Sequence, residues 1–212
     1  MPFRAVLFDF DGTLADSFGA IAASTNHVRE SYGMPPLPEA AVRRAVGYGI
    51  HHLLRELVPG QPLAEAVARY REHHPTVLVS GTRLLPGVAE TVAELHHRGY
   101  RLGVCSNKQV QYTRQLVEAF GLSAAMPLVL GPEDVNGRAK PDPAMLLEAM
   151  TRLGVKAEEA AYVGDMAIDV RTGRAAGVTT WLVAGGAEGE EPAAAAGPDR
   201  ILSNFPELLT LL

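Results

Sequence analysis

The sequence predicts an α/β fold, in which a doubly wound parallel sheet carries an inserted α-helical cap domain. Short apolar segments such as 5–8 and 160–163 end in acidic residues, as buried strands often do beside a functional site. From residue 82 onward, such segments alternate with helical stretches. The interval 16–80 is helical in pattern throughout, and it is far longer than one strand crossover needs.

The predicted elements of the α/β part follow one another in a regular order. Strands are expected at 5–8, 101–105, 126–130, 160–163 and 179–183, and helices at 88–98, 110–120, 143–153 and 170–176. Gly99, Gly121 and Gly154 each follow one of these helices, where glycine commonly ends a helix. Residues 184–199, rich in Gly, Ala, Glu and Pro, are predicted as a surface loop. A strand end and a closing helix are expected at 201–212.

The long interval after the first strand predicts a separate helical unit. Helices are expected at 20–32, 38–46, 50–58 and 63–73, separated by Gly and Pro residues. The third of these helices carries an apolar stripe that must be buried against another helix. We therefore predict a helical cap domain at 16–80 and an α/β core domain formed by 1–15 and 81–212.

The most informative motif is Asp9-Phe10-Asp11-Gly12-Thr13, at the end of the first predicted strand. Two unit charges about 4 Å apart cost on the order of 4 kcal/mol at an effective dielectric near 20. Such a pair is tolerable when a cation lies between the carboxylates or when one of them carries a proton for catalysis. A simple Asp-Gly turn is the alternative interpretation.

Three later segments place further reactive groups at the same edge of the predicted sheet. Ser106 follows one predicted strand and Asp165 follows another, with Asp169 four residues further on. Lys140 lies in a turn that Pro141 makes rigid. Ligands of open parallel sheets bind beyond the carboxyl ends of the strands. We therefore expect all four segments to converge on one crevice.

These motifs resemble those of the haloacid dehalogenase-like hydrolase superfamily, and within it the phosphoglycolate-phosphatase-like branch with a helical cap. The resemblance covers essentially the whole chain and implies a Rossmann-like core. It also implies a Mg²⁺-dependent phosphatase that hydrolyses a small phosphate monoester through an aspartyl-phosphate, with phosphoglycolate as the leading candidate. A β-phosphoglucomutase-like phosphosugar mutase and a non-catalytic binding protein on the same fold are the alternatives.

The resemblance implies a role for each residue near the reacting group. Asp9 would be the nucleophile, and Asp11 would protonate the leaving alcohol and then deprotonate the attacking water. Lys140 would neutralise the charge that builds up on Asp9 and the phosphoryl group. Ser106, with Asn107 beside it, would contact the phosphoryl oxygens. Ser106 has the alternative role of capping the following helix.

Charge balance predicts one bound Mg²⁺ ion. Asp9, Asp11, Asp165 and Asp169 contribute up to four negative charges, whereas Lys140 and a divalent cation return three positive charges. Hard oxygen ligands without a His/Cys cluster favour Mg²⁺ over zinc. By resemblance, the same four aspartates are the metal ligands, Asp11 through its backbone carbonyl and Asp169 directly or through water.

Two positions leave the details of this metal site open. An acid at the position of Asp169 also suits the start of a helix, where it stabilises the helix dipole. Met166 stands where many relatives have Ser or Thr, so a hydroxyl that would orient Asp165 is missing.

A second anion site is expected in the cap. Arg43, Arg44, Gly47, Tyr48 and Gly49 lie in a segment that resembles the substrate loop of phosphoglycolate-phosphatase-like proteins. The glycines expose backbone at the start of a helix, which favours anion binding. We expect Arg44, Gly47 and Tyr48 to contact the substrate, with Arg43 or Arg44 at its carboxylate or second anionic group. A plain helix–helix turn with solvated arginines is the alternative.

Composition limits the remaining classes of function. The net charge of -5 and the pI near 5.8 disfavour nucleic acid as a partner. No apolar run approaches the length of about 18 residues that a membrane span needs. Cys105 is the single cysteine, which excludes an internal disulfide and fits a reducing cytoplasm. We expect a cytoplasmic monomer or homodimer that binds a small phosphorylated metabolite.

The adjacent histidine pairs, His73-His74 among them, are expected to have surface or packing roles. Neighbouring side chains on a helix point about 100° apart and do not readily share a metal ion.

Overall fold

Two sheets organise the computed structural model, which describes residues 3–187 and 190–212. Its strands in chain order are β1 (Ala5–Phe8), β2 (Ala15–Asp16), β3 (Arg83–Leu84), β4 (Arg101–Cys105), β5 (Leu128–Leu130), β6 (Ala160–Gly164), β7 (Thr179–Val183) and β8 (Arg200–Leu202). Six of these strands form one sheet in the order β5-β4-β1-β6-β7-β8, with parallel neighbours throughout. The predicted α/β fold with a parallel sheet is therefore confirmed.

Helices occupy most of the chain between the strands. They are α1 (Phe18–Ser31), α2 (Glu39–Arg43), α3 (Ile50–Leu57), α4 (Leu63–Val77), α5 (Val88–His97), α6 (Val110–Ala119), α7 (Ala144–Leu153), α8 (Ala167–Ala176), α9 (Glu190–Ala195) and α10 (Leu208–Leu211). α6, α7 and α8 each connect two parallel strands of the sheet, as crossover connections must. Within the described ranges, no helix is both long enough and apolar enough to cross a membrane.

β1 lies inside the sheet, and all four of its residues are fully buried. Its last residue, Phe8, is in register with Val104 of β4 and with Val163 of β6. A strand covered on both faces has no polar face, which explains the unbroken apolar run of β1. The shared register brings the residues that follow these three strands to one edge of the sheet.

The chain leaves and re-enters the core through β2 and β3, which pair antiparallel. α1 to α4 lie between these strands and share an apolar cluster that includes Phe18, Val28, Leu54, Val67 and Tyr70. Met166 and Ile168 of the α/β part pack against the same cluster. The division into a cap domain at 16–80 and a core domain at 1–15 and 81–212 stays a prediction.

Two cap helices differ in extent from the prediction. α2 ends three residues earlier than expected, because the chain turns directly after Arg43. α4 continues through Pro75 to Val77, although the helix was expected to end at 73. Pro75 has no N–H for the carbonyl of Arg71, but the hydroxyl of Tyr112 donates a hydrogen bond to that carbonyl at 3.4 Å. A partner from α6 thus compensates for the proline.

The predicted surface loop at 184–199 is wrong in part, because α9 forms within it. Ala193 of α9 packs against Val170 of α8, which gives this short helix an apolar support. Pro192 lies in the first turn, where its missing N–H costs no helical hydrogen bond. The part of the predicted loop at 188–189 lies outside the described residues.

Candidate active site

The carboxyl ends of β1 and β4 open onto a cavity of about 50 Å³ between the sheet and the cap helices. Five of the residues that sequence analysis selected in the α/β part line this cavity, namely Asp9, Asp11, Ser106, Asn107 and Lys140. The first four follow β1 or β4, and the lysine reaches the cavity from the loop before α7. Parallel strands and one ordered loop thus bring together residues that are far apart in the chain.

Asp9 is a buried carboxylate with one paired and one unpaired oxygen. Its Oδ2 lies 2.9 Å from the ammonium nitrogen of Lys140. Its Oδ1 is buried and has no hydrogen-bond partner among the described residues. Burial raises the pKa of Asp9 from 3.8 to about 6, although the charge of Lys140 opposes this rise. The described protein groups therefore do not fully stabilise the ionised form of Asp9.

Lys140 is held by a second carboxylate and by a phenol. Its Nζ lies 2.6 Å from Oδ1 of Asp169 and 3.2 Å from the hydroxyl of Tyr162. Burial by itself would lower the pKa of Lys140, but Asp169 and Asp9 together raise it above its ordinary value. The side chain therefore stays an ammonium, fixed beside Asp9.

Asp169 organises the start of α8. Its Oδ2 accepts hydrogen bonds from the backbone N–H groups of Asp165, at 3.2 Å, and Met166, at 3.1 Å. This capping explains why α8 begins at Ala167, three residues earlier than predicted. Its Oδ1 contacts the ammonium of Lys140 and lies 3.0 Å from the hydroxyl of Tyr162, so each oxygen of Asp169 already has two protein contacts. This geometry favours the supporting role over direct metal ligation.

Asp165 is oriented by two donors. The hydroxyl of Thr13 donates to its Oδ1 at 3.2 Å, and the N–H of Ala187 donates to its Oδ2 at 2.7 Å. Thr13 therefore supplies the orienting hydroxyl that Met166 does not have. Burial raises the pKa of Asp165 well above its ordinary value.

Three buried aspartates form an acidic cluster at this edge of the sheet. One oxygen from each of Asp9, Asp165 and Asp169 lies within 4.8 Å of the others. Gly12 lets the chain after β1 pass close to Asp165. Its φ is +84°, and a Cβ at this position would collide with the carboxylate of Asp165. Carboxylates this close repel one another unless a cation or a proton lies among them. With the unpaired Oδ1 of Asp9, the cluster suits a divalent metal ion.

Asp11 is held at the cavity by two groups. The hydroxyl of Ser17 donates to its Oδ1 at 2.5 Å, and the Nζ of Lys108 lies 3.1 Å from the same oxygen. The side chain of Lys108 is only 5% exposed. Sequence analysis did not select Lys108, although its position two residues after Ser106 was a usable signal.

Asn107 connects the cap to Lys140. Its Nδ2 donates to the carbonyl of Gly47, at 2.9 Å, and its Oδ1 accepts from the N–H of Lys140, at 2.7 Å. Asn107 therefore fixes the backbone of Lys140 and contacts the cap loop at the same time. The Oγ of Ser106 accepts from the N–H of Lys108 at 3.3 Å, so this hydroxyl shapes the turn before α6 while it lines the cavity.

Apolar and aromatic residues line much of the remaining cavity wall, namely Ile21, Val46, Ile50, Leu53, Tyr70, His74 and Tyr112. The Nδ1 of His74 lies 2.8 Å from the hydroxyl of Ser24, and its ring stacks on Tyr70. Burial, with the nearby charge of Lys108, lowers the pKa of His74 to about 3, so the imidazole is neutral at neutral pH. His74 thus packs in the protein interior and also faces the cavity, which a helical pattern alone does not reveal.

The cap loop does not bring its charged residues to the cavity. Gly47 lines the wall, but Arg43 donates to the carbonyl of Gly185 at 2.8 Å, and Arg44 is exposed. Tyr48 is 38% exposed. The turn after α2 directs these side chains to the surface, so the geometry does not support the expected contacts of Arg44 and Tyr48 with a substrate.

Comparison with known proteins relates this site to a family. A family model described as haloacid dehalogenase-like hydrolase matches residues 6–183. A phosphoglycolate phosphatase from Rhodospirillum rubrum is 35% identical over 216 residues, which cover 97% of this chain and 89% of that protein. The pyrophosphatase PpaX of Halalkalibacterium halodurans is 32% identical, over 100% of this chain and 98% of its own.

A solved structure shares the complete fold. The crystal structure of a predicted phosphoglycolate phosphatase from Haemophilus somnus 129pt has a TM-score of 0.91 and 25% identity, over 99% of this chain and 97% of the other. The resemblance that the motifs indicated is therefore confirmed. The chain belongs to the haloacid dehalogenase-like hydrolase family, within its phosphoglycolate-phosphatase-like branch of phosphoric monoester hydrolases.

Proposed function

We propose that this protein is a Mg²⁺-dependent phosphatase that transfers the phosphoryl group of a small monoester to Asp9 and then to water. The observation that carries the proposal is the buried, unpaired Oδ1 of Asp9 at the cavity, with an ammonium group 2.9 Å from the other oxygen. An unpaired carboxylate oxygen is a nucleophile, and a neighbouring fixed positive charge stabilises negative charge that develops during transfer.

In the first step, Oδ1 of Asp9 attacks phosphorus, and the bond between phosphorus and the ester oxygen breaks. The departing oxygen takes a proton from the carboxyl group of Asp11, which lines the same cavity. Lys140 stays beside Oδ2 of Asp9 and stabilises the negative charge around it. The products are an aspartyl-phosphate and the free alcohol.

In the second step, a water molecule attacks phosphorus, and the carboxylate of Asp11 takes the proton of that water. The bond between phosphorus and Oδ1 of Asp9 breaks, so that inorganic phosphate leaves. The Asp9 carboxylate and the protonated Asp11 are thereby restored. Ser17 holds Asp11 at the cavity through its 2.5 Å hydrogen bond, which keeps this acid close to both reacting oxygens.

The acidic cluster is the proposed metal site. Asp9, Asp165 and the backbone carbonyl of Asp11 would hold Mg²⁺, and Asp169 would support the site through Lys140 and the start of α8. The bound ion supplies positive charge that offsets the acidic groups and the phosphate dianion. The unpaired Oδ1 of Asp9 and the oxygen donors of the cluster support this choice of metal.

Phosphoglycolate is the leading substrate. The names of the relatives indicate more than one substrate. Phosphoglycolate phosphatases and a pyrophosphatase have similar levels of sequence identity to this chain. We therefore rank phosphoglycolate first and pyrophosphate second, on the higher identity of the phosphoglycolate phosphatase from Rhodospirillum rubrum.

A panel of two phosphate esters, with pyrophosphate as a phosphoric anhydride, tests the proposal. Turnover of phosphoglycolate, pyrophosphate and p-nitrophenyl phosphate is measured with Mg²⁺ and with a chelator, for the wild type and for Asp9→Asn. We expect Mg²⁺-dependent phosphate release that is fastest with phosphoglycolate and absent in Asp9→Asn, which keeps the shape of the side chain but is not a nucleophile. Wild-type protein that binds these esters and releases no phosphate from any of them would contradict the proposal.

A further inference from the structure

Lys108 is a buried cation whose hydrogen bonds all go to one carboxylate. Its Nζ lies 3.1 Å from Oδ1 and 3.4 Å from Oδ2 of Asp11. Within the described part of the chain, no other group accepts a hydrogen bond from this ammonium. An ammonium has three donors, so Lys108 retains capacity for a further acceptor in the cavity that it lines.

The other basic residues near the cavity are paired, lie outside the cavity or are neutral. Lys140 lies between Asp9 and Asp169, at 2.9 Å and 2.6 Å. Arg43 and Arg44 of the cap loop lie outside the cavity. His74 is neutral, since burial lowers its pKa to about 3. Among the residues that line the cavity, Lys108 is therefore the remaining cation for a second anionic group on a substrate.

The position of Lys108 matches the leaving-group part of a substrate. Asp11 is the acid that protonates the ester oxygen, so that oxygen lies about 2.7 Å from a carboxyl oxygen of Asp11. The ammonium is a further 3.1 Å from Asp11. The ester oxygen is therefore at most about 6 Å from the ammonium, a distance that a carboxylate joined to that oxygen through one carbon atom can span.

We propose that Lys108 binds an anionic group, a carboxylate, on the leaving-group side of the substrate and thereby selects phosphate esters that carry one. This inference rests on the proposed phosphatase function and names its specificity residue. Lys108 thus takes the role in carboxylate binding that sequence analysis expected of Arg43 or Arg44. A charge-assisted hydrogen bond in a buried site contributes about 10- to 100-fold to affinity or rate.

A matched pair of substrates tests the inference. 2-Phosphoglycolate carries the carboxylate, whereas 2-hydroxyethyl phosphate replaces it by a hydroxymethyl group of similar size. kcat/KM for both substrates is measured with the wild type, Lys108→Met, Lys108→Arg and Arg44→Met. The last variant removes one positive charge outside the cavity and controls for the change in net charge.

The expected result is a change in substrate ratio. In Lys108→Met, kcat/KM should fall about 10- to 100-fold more for 2-phosphoglycolate than for 2-hydroxyethyl phosphate. Lys108→Arg should restore part of the preference, and Arg44→Met should leave the ratio unchanged. Retained turnover of 2-hydroxyethyl phosphate by Lys108→Met shows that this variant is folded.

Three results overturn the inference in distinguishable ways. An equal loss on both substrates in Lys108→Met means that the lysine only positions Asp11, and the proposed phosphatase function then stands. A Lys108→Met variant with no turnover of either substrate is compared with the wild type by thermal unfolding and by binding of 2-phosphoglycolate. A folded variant with wild-type affinity for 2-phosphoglycolate also overturns the inference. A wild type that hydrolyses no phosphate ester overturns the proposed function as well.

Discussion

The ammonium nitrogen of Lys140 lies 2.9 Å from Oδ2 of Asp9, and this contact fixes one oxygen of the carboxylate while Oδ1 stays unpaired. Both side chains are almost completely buried, so the pair acts in a medium of low dielectric constant. The two oxygens of this carboxylate therefore differ: Lys140 holds one, and the other has no hydrogen-bond partner among the described residues.

Removal of this buried charge should reduce both activity and stability. In Lys140→Met, kcat should fall about 10²- to 10³-fold, because the charge that develops near Asp9 is no longer stabilised. The free energy of unfolding should fall by about 3–5 kcal/mol, because Asp9 and Asp169 lose their shared partner. Steady-state kinetics and urea unfolding measure the two effects. Lys140→Arg keeps the charge and should recover stability better than activity; wild-type kcat in Lys140→Met would exclude the assigned role.

The stability of the metal-free protein should decrease as pH rises. The pKa of Asp9 is raised from 3.8 to about 6, so the folded protein keeps a proton that the unfolded chain has lost. The loss of stability begins near the unfolded pKa and is complete above the folded pKa, where it amounts to about 3 kcal/mol. Asp165, whose pKa is also raised by burial, contributes in the same direction.

Urea unfolding in a chelator, at about pH 4 and about pH 7.5, measures this dependence. Asp9→Asn should lose less stability between the two pH values than the wild type, because the amide does not titrate. Added Mg²⁺ should raise the stability of the wild type at the higher pH. An equal loss of stability in the two proteins between these pH values would show that burial does not raise the pKa of Asp9.

Gly12 should be required for the metal site rather than for the fold. Its φ is +84°, and a Cβ here collides with the carboxylate of Asp165. Gly60 has a φ of +78° and open space around it. Both Gly→Ala variants should lose about 1 kcal/mol of stability, since each places alanine in the left-handed region. Gly12→Ala should lose more than Gly60→Ala, because its Cβ also displaces the carboxylate of Asp165. Isothermal titration should show weaker Mg²⁺ binding only in Gly12→Ala; equal binding in both variants would refute the proposed packing of Asp165.

Asn107 should act by positioning Lys140. It accepts the N–H of Lys140 at 2.7 Å and donates to the carbonyl of Gly47 at 2.9 Å. Asn107→Ala should lower kcat about tenfold or more, because a misplaced lysine stabilises the developing charge less well. Asn107→Asp keeps the acceptor for the N–H of Lys140 but loses the donor to the carbonyls of Gly47 and Lys140, so it should retain more kcat than Asn107→Ala and less than the wild type. Equal kcat in both variants would remove this positioning role.

The sequence was sufficient for the fold and for the order of its motifs, because both depend on local patterns. The run at 5–8 is apolar throughout, as a strand buried on both faces must be, and parallel strands end at a common edge. Asp9 follows β1 and Lys140 precedes α7, and these positions predicted the contact that the two side chains make. The assignment of the remaining roles stays a prediction.

The parts that the sequence did not predict depend on contacts between distant segments. α4 passes through Pro75, and Tyr112, from another helix, donates to the carbonyl that the proline leaves free. Arg44 points to solvent because of the turn after α2, which no local pattern fixes. Lys108 reaches Asp11 across 97 positions of the chain, so its pairing is visible only in the folded protein.

A crystal structure of the protein with Mg²⁺ and beryllofluoride, which mimics a phosphoryl group on an aspartate, tests the central claim most directly. We predict beryllium bound to Oδ1 of Asp9, Lys140 still at Oδ2, and the metal ion between Asp9 and Asp165. A bare Asp9 carboxylate, in crystals grown from a mixture that inhibits the enzyme, would contradict the account.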